Sequence, residues 1–236
     1  MKGICRICGK NKKLSFEHTP PESSFNSSPV FIQKSEHIHN KNSFVYGKRI
    51  LSNRGAGSYS LCISCNSSTG GFYGESFKEF TYQGMMTCTF RIWTKEHIPN
   101  FYHIKPLNIL KQIMTMFMSI DKSDQLLKMK GLSGFILDKN SQNLPQQIRI
   151  FLYFTSSISI RNGWSLLHNT NTGKTVKLGE ISFRPFGYIY TIDSLPFVKN
   201  VFEITNWKNY QYNQKTTLLM ELPFLQPKGN VSGLYI

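Results

Sequence analysis

The chain has 236 residues, of which 40% are hydrophobic and 14% aromatic, so it can form a packed core and is not disordered throughout. Its formal net charge is +15, spread as +6 over residues 1–90 and +9 over residues 91–236, which favours a polyanionic partner without locating a binding face. An AT-rich genome also enriches a chain in lysine, so the charge by itself does not establish nucleic-acid binding.

The first half of the chain predicts two strands and a helix around a long polar segment. CRICGKNKK is typical of a knuckle, LSF of a strand that runs into Glu17 and His18, and SYSLC of a second strand. A helix should follow from near Ile63 and end at Gly70 and Gly71, because glycine ends helices at low cost. The polar segment between the strands contains one predicted strand, at SFVYGKRIL.

The second half predicts one long helix and a mainly antiparallel sheet. Apolar residues at helical spacing follow Pro106, a residue suited to the first turn of a helix. Four strand-like segments come later, with turn signals that include Asn162-Gly163 and Thr172-Gly173. The segments are IRIFLYFTSSISI, GEISFRPFGYIYTI, VFEIT and TTLLMELPF. We therefore expect an α+β protein with two domains, residues 1–91 and 92–236.

The sequence also predicts a cytoplasmic protein with no membrane partner. The most apolar stretch, PLNILKQIMTMFMSI, is interrupted by Asn108, Lys111 and Gln112, whereas a membrane span needs roughly 18 apolar residues or more. The beginning, MKGICRICGK, lacks the apolar region of a secretory signal. In the cytoplasm, closely spaced cysteines bind metal or act in redox chemistry more often than they form disulfides.

Four of the five cysteines form two CxxC pairs, Cys5 with Cys8 and Cys62 with Cys65. This spacing is typical of a closed tetrahedral Zn²⁺ site, in which each pair binds one edge of the ion from a tight turn. The alternative is two redox dithiols, but neither pair lies in the strand-to-helix setting of such motifs. Cys88 has no partner in the pattern and is interpreted as an inert buried thiol.

A shared zinc ion would bring the end of the first strand against the helix that follows the second CxxC pair. Glu17 and His18 would then face Asn66 in the first helical turn. A carboxylate and an amide supply hard oxygen ligands for Mg²⁺ or Mn²⁺, and a neutral histidine can deprotonate water. These three groups together are what a single-metal phosphodiesterase requires.

The pattern CRIC…FEHTPP…N…LCISCNSSTGG resembles the zinc-stapled HNH endonucleases, also called ββα-metal nucleases, over about residues 3–75. The resemblance implies a treble-clef-like nuclease unit with His18 as general base and Glu17 and Asn66 as ligands of the catalytic metal. It implies the four cysteines as structural zinc ligands. Many members have Asp where this chain has Glu17, and the segment between His18 and Asn66 is longer than the minimal motif. Asn26 is the candidate for the central asparagine, which holds the histidine loop.

Two further sites in the long segment are open to interpretation. Arg54 is either a side chain that reaches the scissile phosphate or an ordinary surface charge. His37 and His39 form an HxH pair that is interpreted as part of a solvated loop rather than as a metal site.

The expected function is therefore metal-dependent hydrolysis of phosphodiester bonds in DNA or RNA, in a bacterial or phage defence system or a mobile element. The expected cofactors are structural Zn²⁺ and catalytic Mg²⁺ or Mn²⁺. Residues 92–236 would bind substrate, form a homo-oligomer, or receive a signal from a defence partner protein. The alternatives are a zinc-containing module that binds nucleic acid without cleaving it, and a scaffold whose catalytic remnant is unused.

Overall fold

The computed structural model describes residues 1–34, 36–91, 97–169, 173–193 and 201–226. In the first half, the two predicted strands form and pair antiparallel, and a third, shorter strand extends their sheet in the order β1-β2-β5. The elements of this half are β1 (Lys2–Ile4), β2 (Asn11–His18), β3 (Val30–Ile32), α1 (Glu36–His39), β4 (Ile50–Ser52), β5 (Gly57–Cys62), α2 (Ile63–Thr69) and α3 (Glu75–Arg91). The predicted strand in SFVYGKRIL is reduced to β4, which pairs with β3 in a two-stranded ribbon.

The α-helix α2 ends at Thr69, directly before the predicted Gly70 and Gly71, but the helical path does not stop there. Gly70 has helical dihedral angles, φ −60° and ψ −45°, and a π-helical turn over Gly70–Gly74 joins α2 to α3. Glycine in a helix costs about 1 kcal/mol relative to alanine. Here the burial of Tyr73, Phe77 and Phe80 offsets this cost, so tertiary packing carries the helix through the glycines.

The second half contains the predicted helix, α4 (Pro106–Ile120), with Pro106 in its first turn. All residues of α4 except Ile120 are buried, including the polar side chains of Asn108 and Lys111. The Asn108 Nδ2 donates to Asn213 Oδ1 at 2.9 Å, and the Lys111 Nζ donates to the Asp138 carbonyl at 2.6 Å. Among the described residues, no helix combines the length and apolar character that crossing a membrane requires.

The sheets of the second half are antiparallel, which confirms the α+β class. Five strands pair in the order β11-β7-β10-β9-β8, and β12 pairs with β6. The turn predicted at Asn162-Gly163 is wrong, because both residues lie within β8, and the tight turn at Arg184 and Pro185 instead separates β9 from β10. The remaining elements are β6 (His97–Ile104), α5 (Gln125–Lys128), α6 (Leu132–Leu137), β7 (Ile148–Phe154), β8 (Arg161–Asn169), β9 (Lys174–Phe183), β10 (Phe186–Ile192), β11 (Phe202–Glu203) and β12 (Thr216–Pro223).

One hydrophobic cluster extends through both halves of the chain. It contains Leu14 and Phe77 from the first half and Phe117, Phe186 and Met220 from the second. Phe80 stacks on Phe186 with ring centroids 4.4 Å apart. The division at residue 91 stays a prediction, and the shared core means that either half alone would expose surface that is buried in the whole chain.

Candidate active site

The four cysteines of the two CxxC pairs come together as predicted. Their sulfur atoms all lie within 4.8 Å of one another, and the Sγ atoms of Cys8 and Cys62 are 3.9 Å apart. A tetrahedral zinc site with Zn–S bonds of about 2.3 Å places its sulfur atoms about 3.8 Å apart. The cluster therefore fits a metal ion such as zinc, with ligands from the knuckle and from the junction of β5 and α2.

Backbone hydrogen bonds shape the knuckle and reach one of the cysteine sulfur atoms. Gly9 adopts a left-handed φ of +68° in the turn of the knuckle, and its amide donates to the Cys5 carbonyl at 2.9 Å. The amide of Cys62 donates to the Cys5 Sγ at 3.2 Å. Burial alone would raise the pKa of Cys62, but hydrogen bonds with Cys65 and the other thiols lower it to about 7. At Cys5 and Cys65 burial dominates and raises the pKa, so the surroundings favour a thiolate at Cys62 but not at those two positions.

Glu17 and Asn66 meet on the side of β2 that faces α2. The Asn66 Nδ2 donates to Ser15 Oγ at 3.0 Å and to the Phe16 carbonyl at 3.4 Å, which orients its amide toward the strand. Glu17 is 9% exposed, and none of the ion pairs among the described residues includes it. Burial raises the pKa of Glu17 to about 7, and a hydrogen bond from Asn66 lowers it in part. A buried carboxylate that none of the described ion pairs includes, beside the side-chain amide of Asn66, fits a hard divalent cation.

His18 lies at the end of β2, where its contacts differ from those predicted. Because side chains alternate along a strand, His18 and Phe16 share the face opposite Glu17, and their rings pack edge to face at 4.9 Å. The His18 Nε2 lies 2.6 Å from the Arg54 carbonyl oxygen. A carbonyl only accepts hydrogen bonds, so Nε2 carries the proton and the neutral ring keeps its lone pair on Nδ1.

Asn26 holds the loop that follows His18. Its Nδ2 donates to the carbonyls of Pro20 at 2.6 Å and Ala56 at 2.8 Å, and its Oδ1 accepts from the Ala56 amide at 2.8 Å. It is 1% exposed. A Cβ at Gly55, whose φ is +74°, would collide with the Asn26 backbone oxygen. These contacts fasten the end of β2 to the start of β5.

Arg54 lies near His18, and its side chain packs on the face of the strands opposite Glu17. Its side chain is exposed, and its guanidinium carbon lies 4.8 Å from the centroid of the Phe16 ring. The stacking keeps the charge on the His18 face of the strands. Contact with a substrate phosphate stays a prediction.

Two supporting residues were missed in the sequence. Ser15 accepts the hydrogen bond that orients Asn66, and Thr19 Oγ1 lies 3.0 Å from Ser119 Oγ on α4. The Thr19 contact ties the loop after His18 to the second half of the chain. Ser15 could have been found from strand alternation, because it lies two residues before Glu17 and on the same face, whereas nothing local relates Thr19 to Ser119.

A cleft of about 660 Å³ lies away from the cysteines, between α3 and the ribbon of β6 and β12. Lys78, Lys105 and Lys215 line it, and Tyr82 on its wall packs against Phe25, which precedes Asn26 in the chain. The cleft therefore adjoins the loop that Asn26 holds, and it contributes positive charge to that side of the surface.

We expect Asn26→Ala to lower the free energy of unfolding by about 2 to 4 kcal/mol, because the Pro20 carbonyl and the Ala56 amide lose their partner. The Ala56 carbonyl loses one of two donors and keeps the Thr19 amide at 2.9 Å. Thermal melting should show a decrease on the order of 5 to 10 °C. Asn42→Ala, at an exposed position in the same long segment, is the matched control and should melt like the parent. Equal melting of both variants would contradict the role of Asn26 in holding the loop.

Comparisons with protein-family models, with curated proteins and with solved structures found no match to this chain. The functional conclusion therefore depends on the side chains and their surroundings.

Proposed function

We propose that the protein is a metal-dependent endonuclease of the HNH type that hydrolyses phosphodiester bonds in DNA. The observation that carries the proposal is the placement of Glu17 and His18 at the end of β2 and of Asn66 on α2, beside a four-cysteine cluster. An ordinary surface turn would not require a buried carboxylate next to an oriented amide.

His18 acts as the general base in this proposal. Its Nε2–H donates to the Arg54 carbonyl, which holds the ring in one tautomer and leaves Nδ1 to accept a proton from the attacking water. The same carbonyl stabilises the imidazolium that forms when the proton arrives. The half-buried position of His18 keeps the ring accessible to a substrate while Phe16 fixes its plane.

Glu17 and Asn66 would hold the divalent cation, Mg²⁺ or Mn²⁺, through a carboxylate oxygen and the amide Oδ1. The cation supplies Lewis-acid stabilisation of charge on the phosphate and on the leaving 3′ oxygen. Asn66 is suited to this role because its Nδ2 is already engaged by Ser15 and Phe16, which leaves Oδ1 as the ligand atom.

The opposite faces of Glu17 and His18 are compatible with in-line chemistry. The attacking water and the leaving oxygen lie on opposite sides of the phosphorus atom, so the base and the cation ligands need not contact each other. A phosphate at the end of β2 would have His18 on one side and the Glu17 and Asn66 pair on the other. Cleavage should leave a 5′ phosphate.

Residues 92–236 are proposed to support this chemistry by binding substrate, by forming a homo-oligomer or by receiving a signal from a defence partner. Thr19 and Ser119 give such a signal a direct contact with the loop that follows His18. A zinc-containing module that binds nucleic acid without cutting it is the second candidate function, and the basic surface favours it equally.

Incubation of the zinc-loaded protein with supercoiled plasmid DNA separates the two functions. The nuclease proposal expects nicked and then linear DNA in Mg²⁺ or Mn²⁺ and none without a divalent cation. Binding to the plasmid without nicking in either metal would contradict the nuclease and support the binding module. Parallel incubation with a structured RNA tests whether DNA is the substrate.

We expect Glu17→Gln to lose cleavage in Mg²⁺ by about 10²-fold or more, because a neutral amide is a weaker ligand for a hard cation. High Mn²⁺ should recover part of the activity, since mass action compensates for lower affinity. Full activity of Glu17→Gln at low Mg²⁺ would contradict the ligand role of Glu17. Glu22→Gln, at an exposed carboxylate in the neighbouring loop, is the control for the same chemical change.

The same substitution should stabilise the protein when divalent metal is absent. The pKa of Glu17 is raised from 4.5 to about 7, so between these values the folded protein holds a proton that the unfolded chain has released. The stability that this bound proton contributes is fully present below pH 4.5 and is lost as the pH rises to 7. Above pH 7 the free energy of unfolding no longer depends on this group. Above pH 7, Glu17→Gln should therefore gain on the order of 3 kcal/mol over the parent. Melting curves from pH 4 to 8 should show that the difference in melting temperature between Glu17→Gln and the parent increases with pH. A difference that does not change with pH would contradict the raised pKa of the buried Glu17.

A further inference from the structure

The segment between Asn26 and Arg54 projects exposed apolar side chains that no layer of the described structure covers. We name residues 27–53 the arm; it consists of the ribbon of β3 and β4, the short helix α1 and a tip of successive turns. On the ribbon, Phe31 and Leu51 are cross-strand neighbours and are 67% and 55% exposed. Phe44 at the tip is 99% exposed. Exposed apolar clusters of this kind mark interaction surfaces.

The positive charge of the arm favours a polyanionic partner. Lys41, Lys48 and Arg49 are exposed, and the one carboxylate of the arm, Glu36, is within 3.6 Å of Lys34. None of the ion pairs among the described residues includes those three basic side chains. A second copy of this chain would bring the same positive charges and be repelled, whereas a polyanion would be attracted.

The arm is anchored so that its ribbon lies next to the candidate active site. His37, interpreted from sequence as part of a solvated loop, is 3% exposed, and its Nδ1 lies 3.0 Å from the Lys48 carbonyl. The Gly47 amide donates to the His37 carbonyl at 2.7 Å. The ribbon leaves the loop at Asn26 and returns at Arg54, whose carbonyl accepts from His18. A molecule bound to the ribbon is therefore adjacent to the proposed base.

We propose that the arm binds the major groove of duplex DNA and positions the scissile phosphate at His18. The inference deepens the proposed nuclease function and rests on it. A two-stranded ribbon fits the major groove of B-form DNA, whereas the major groove of A-form RNA is too deep and narrow for side chains to read. Lys48 and Arg49 contact backbone phosphates, and the apolar pair of Phe31 and Leu51 packs against thymine methyl groups.

The test measures equilibrium binding of the zinc-loaded full chain to a fluorescein-labelled 30-base-pair DNA duplex, without added divalent cation, so that cleavage does not contribute. Lys48→Gln/Arg49→Gln should weaken binding about tenfold and reduce the slope of log affinity against log salt by about 2. Phe31→Ser/Leu51→Ser should weaken binding at least about threefold with the salt slope unchanged, because apolar contacts release no counterions.

Matched controls carry the same chemical changes outside the arm. Lys122→Gln/Lys130→Gln removes two exposed charges near α5, and Phe101→Ser removes an aromatic ring that is 62% exposed on β6. Zinc content and melting temperature of every variant must match those of the parent, which the exposure of these positions favours. Arm variants that bind the duplex as tightly as the controls would overturn the proposal. Weakened binding to an RNA hairpin, with duplex DNA unaffected, would also overturn it.

The arm and the nuclease function can fail separately. Arm-dependent duplex binding in a protein that never nicks plasmid DNA supports the arm and contradicts the nuclease. Plasmid cleavage that the arm substitutions leave unchanged, together with unchanged duplex binding, contradicts the arm and leaves the nuclease proposal in place.

Discussion

Replacement of His18 by alanine is expected to lower the rate of plasmid cleavage by about 10² to 10⁴, the usual effect of removing a positioned general base. Zinc content and duplex affinity should stay those of the parent, because the half-buried ring hydrogen-bonds the Arg54 carbonyl and packs against the Phe16 ring, away from the cysteines. Single-turnover cleavage with saturating Mg²⁺ measures the chemical step directly. Added imidazole should restore part of the rate to the alanine variant, since a free base can enter the space left by the ring.

His168→Ala is the matched control for this experiment. His168 is exposed, its Nδ1 lies 2.9 Å from Thr175 Oγ1, and it is on β8, outside the candidate site. The control should cleave at the parental rate and should not respond to imidazole. Cleavage by His18→Ala within about threefold of the parent would remove His18 from the role of general base.

Replacement of Cys65 by serine is expected to abolish stoichiometric zinc binding and to cause the largest loss of stability of any substitution considered. Thiolates suit the borderline-soft zinc ion, and a hydroxyl in their place is a poor ligand. The ion joins the knuckle to the start of α2, so its loss should lower the free energy of unfolding by several kcal/mol, on the order of 5. Elemental analysis should find one zinc per parent chain, and thermal melting should fall by more than about 10 °C in the variant.

Cys88→Ala separates loss of the metal site from loss of any buried thiol. Cys88 is 4% exposed and lies outside the cluster, and burial raises the pKa of its thiol to about 12. This variant should keep one zinc per chain and melt within a few degrees of the parent. Absence of zinc from the fully reduced parent, or equal melting of the two variants, would show that the four sulfur atoms do not hold a structural ion.

The four-cysteine cluster and α4 could be predicted from sequence because their signals are local. Two residues between paired cysteines place both sulfur atoms on one turn, so Cys5 with Cys8 and Cys62 with Cys65 already define two edges of a tetrahedron. Pro106 similarly marks a helix start through its own restricted backbone. The pairing of the two predicted strands then follows from the shared cluster at their ends.

The orientation of the site residues could be predicted only in part. The meeting of Glu17 with Asn66 was expected from the zinc cluster, and the structure contains it. The turn of His18 toward Arg54 was not expected, because it depends on the path of a segment of 38 residues that returns to the strand end. His37 was predicted to lie in a solvated loop, but it is buried and contacts the Lys48 carbonyl, because its surroundings also depend on the path of this long segment.

Three features could be inferred without the fold: the four cysteines that cluster, the α+β class and the identity of the chemical groups near the end of β2. Each of these depends on residue type and short spacing. The tertiary structure alone decided that the helix continues through Gly70, that Lys111 is buried against backbone carbonyls, and that Thr19 contacts Ser119. These features arise from contacts between residues far apart in the chain, where packing free energy outweighs local preference.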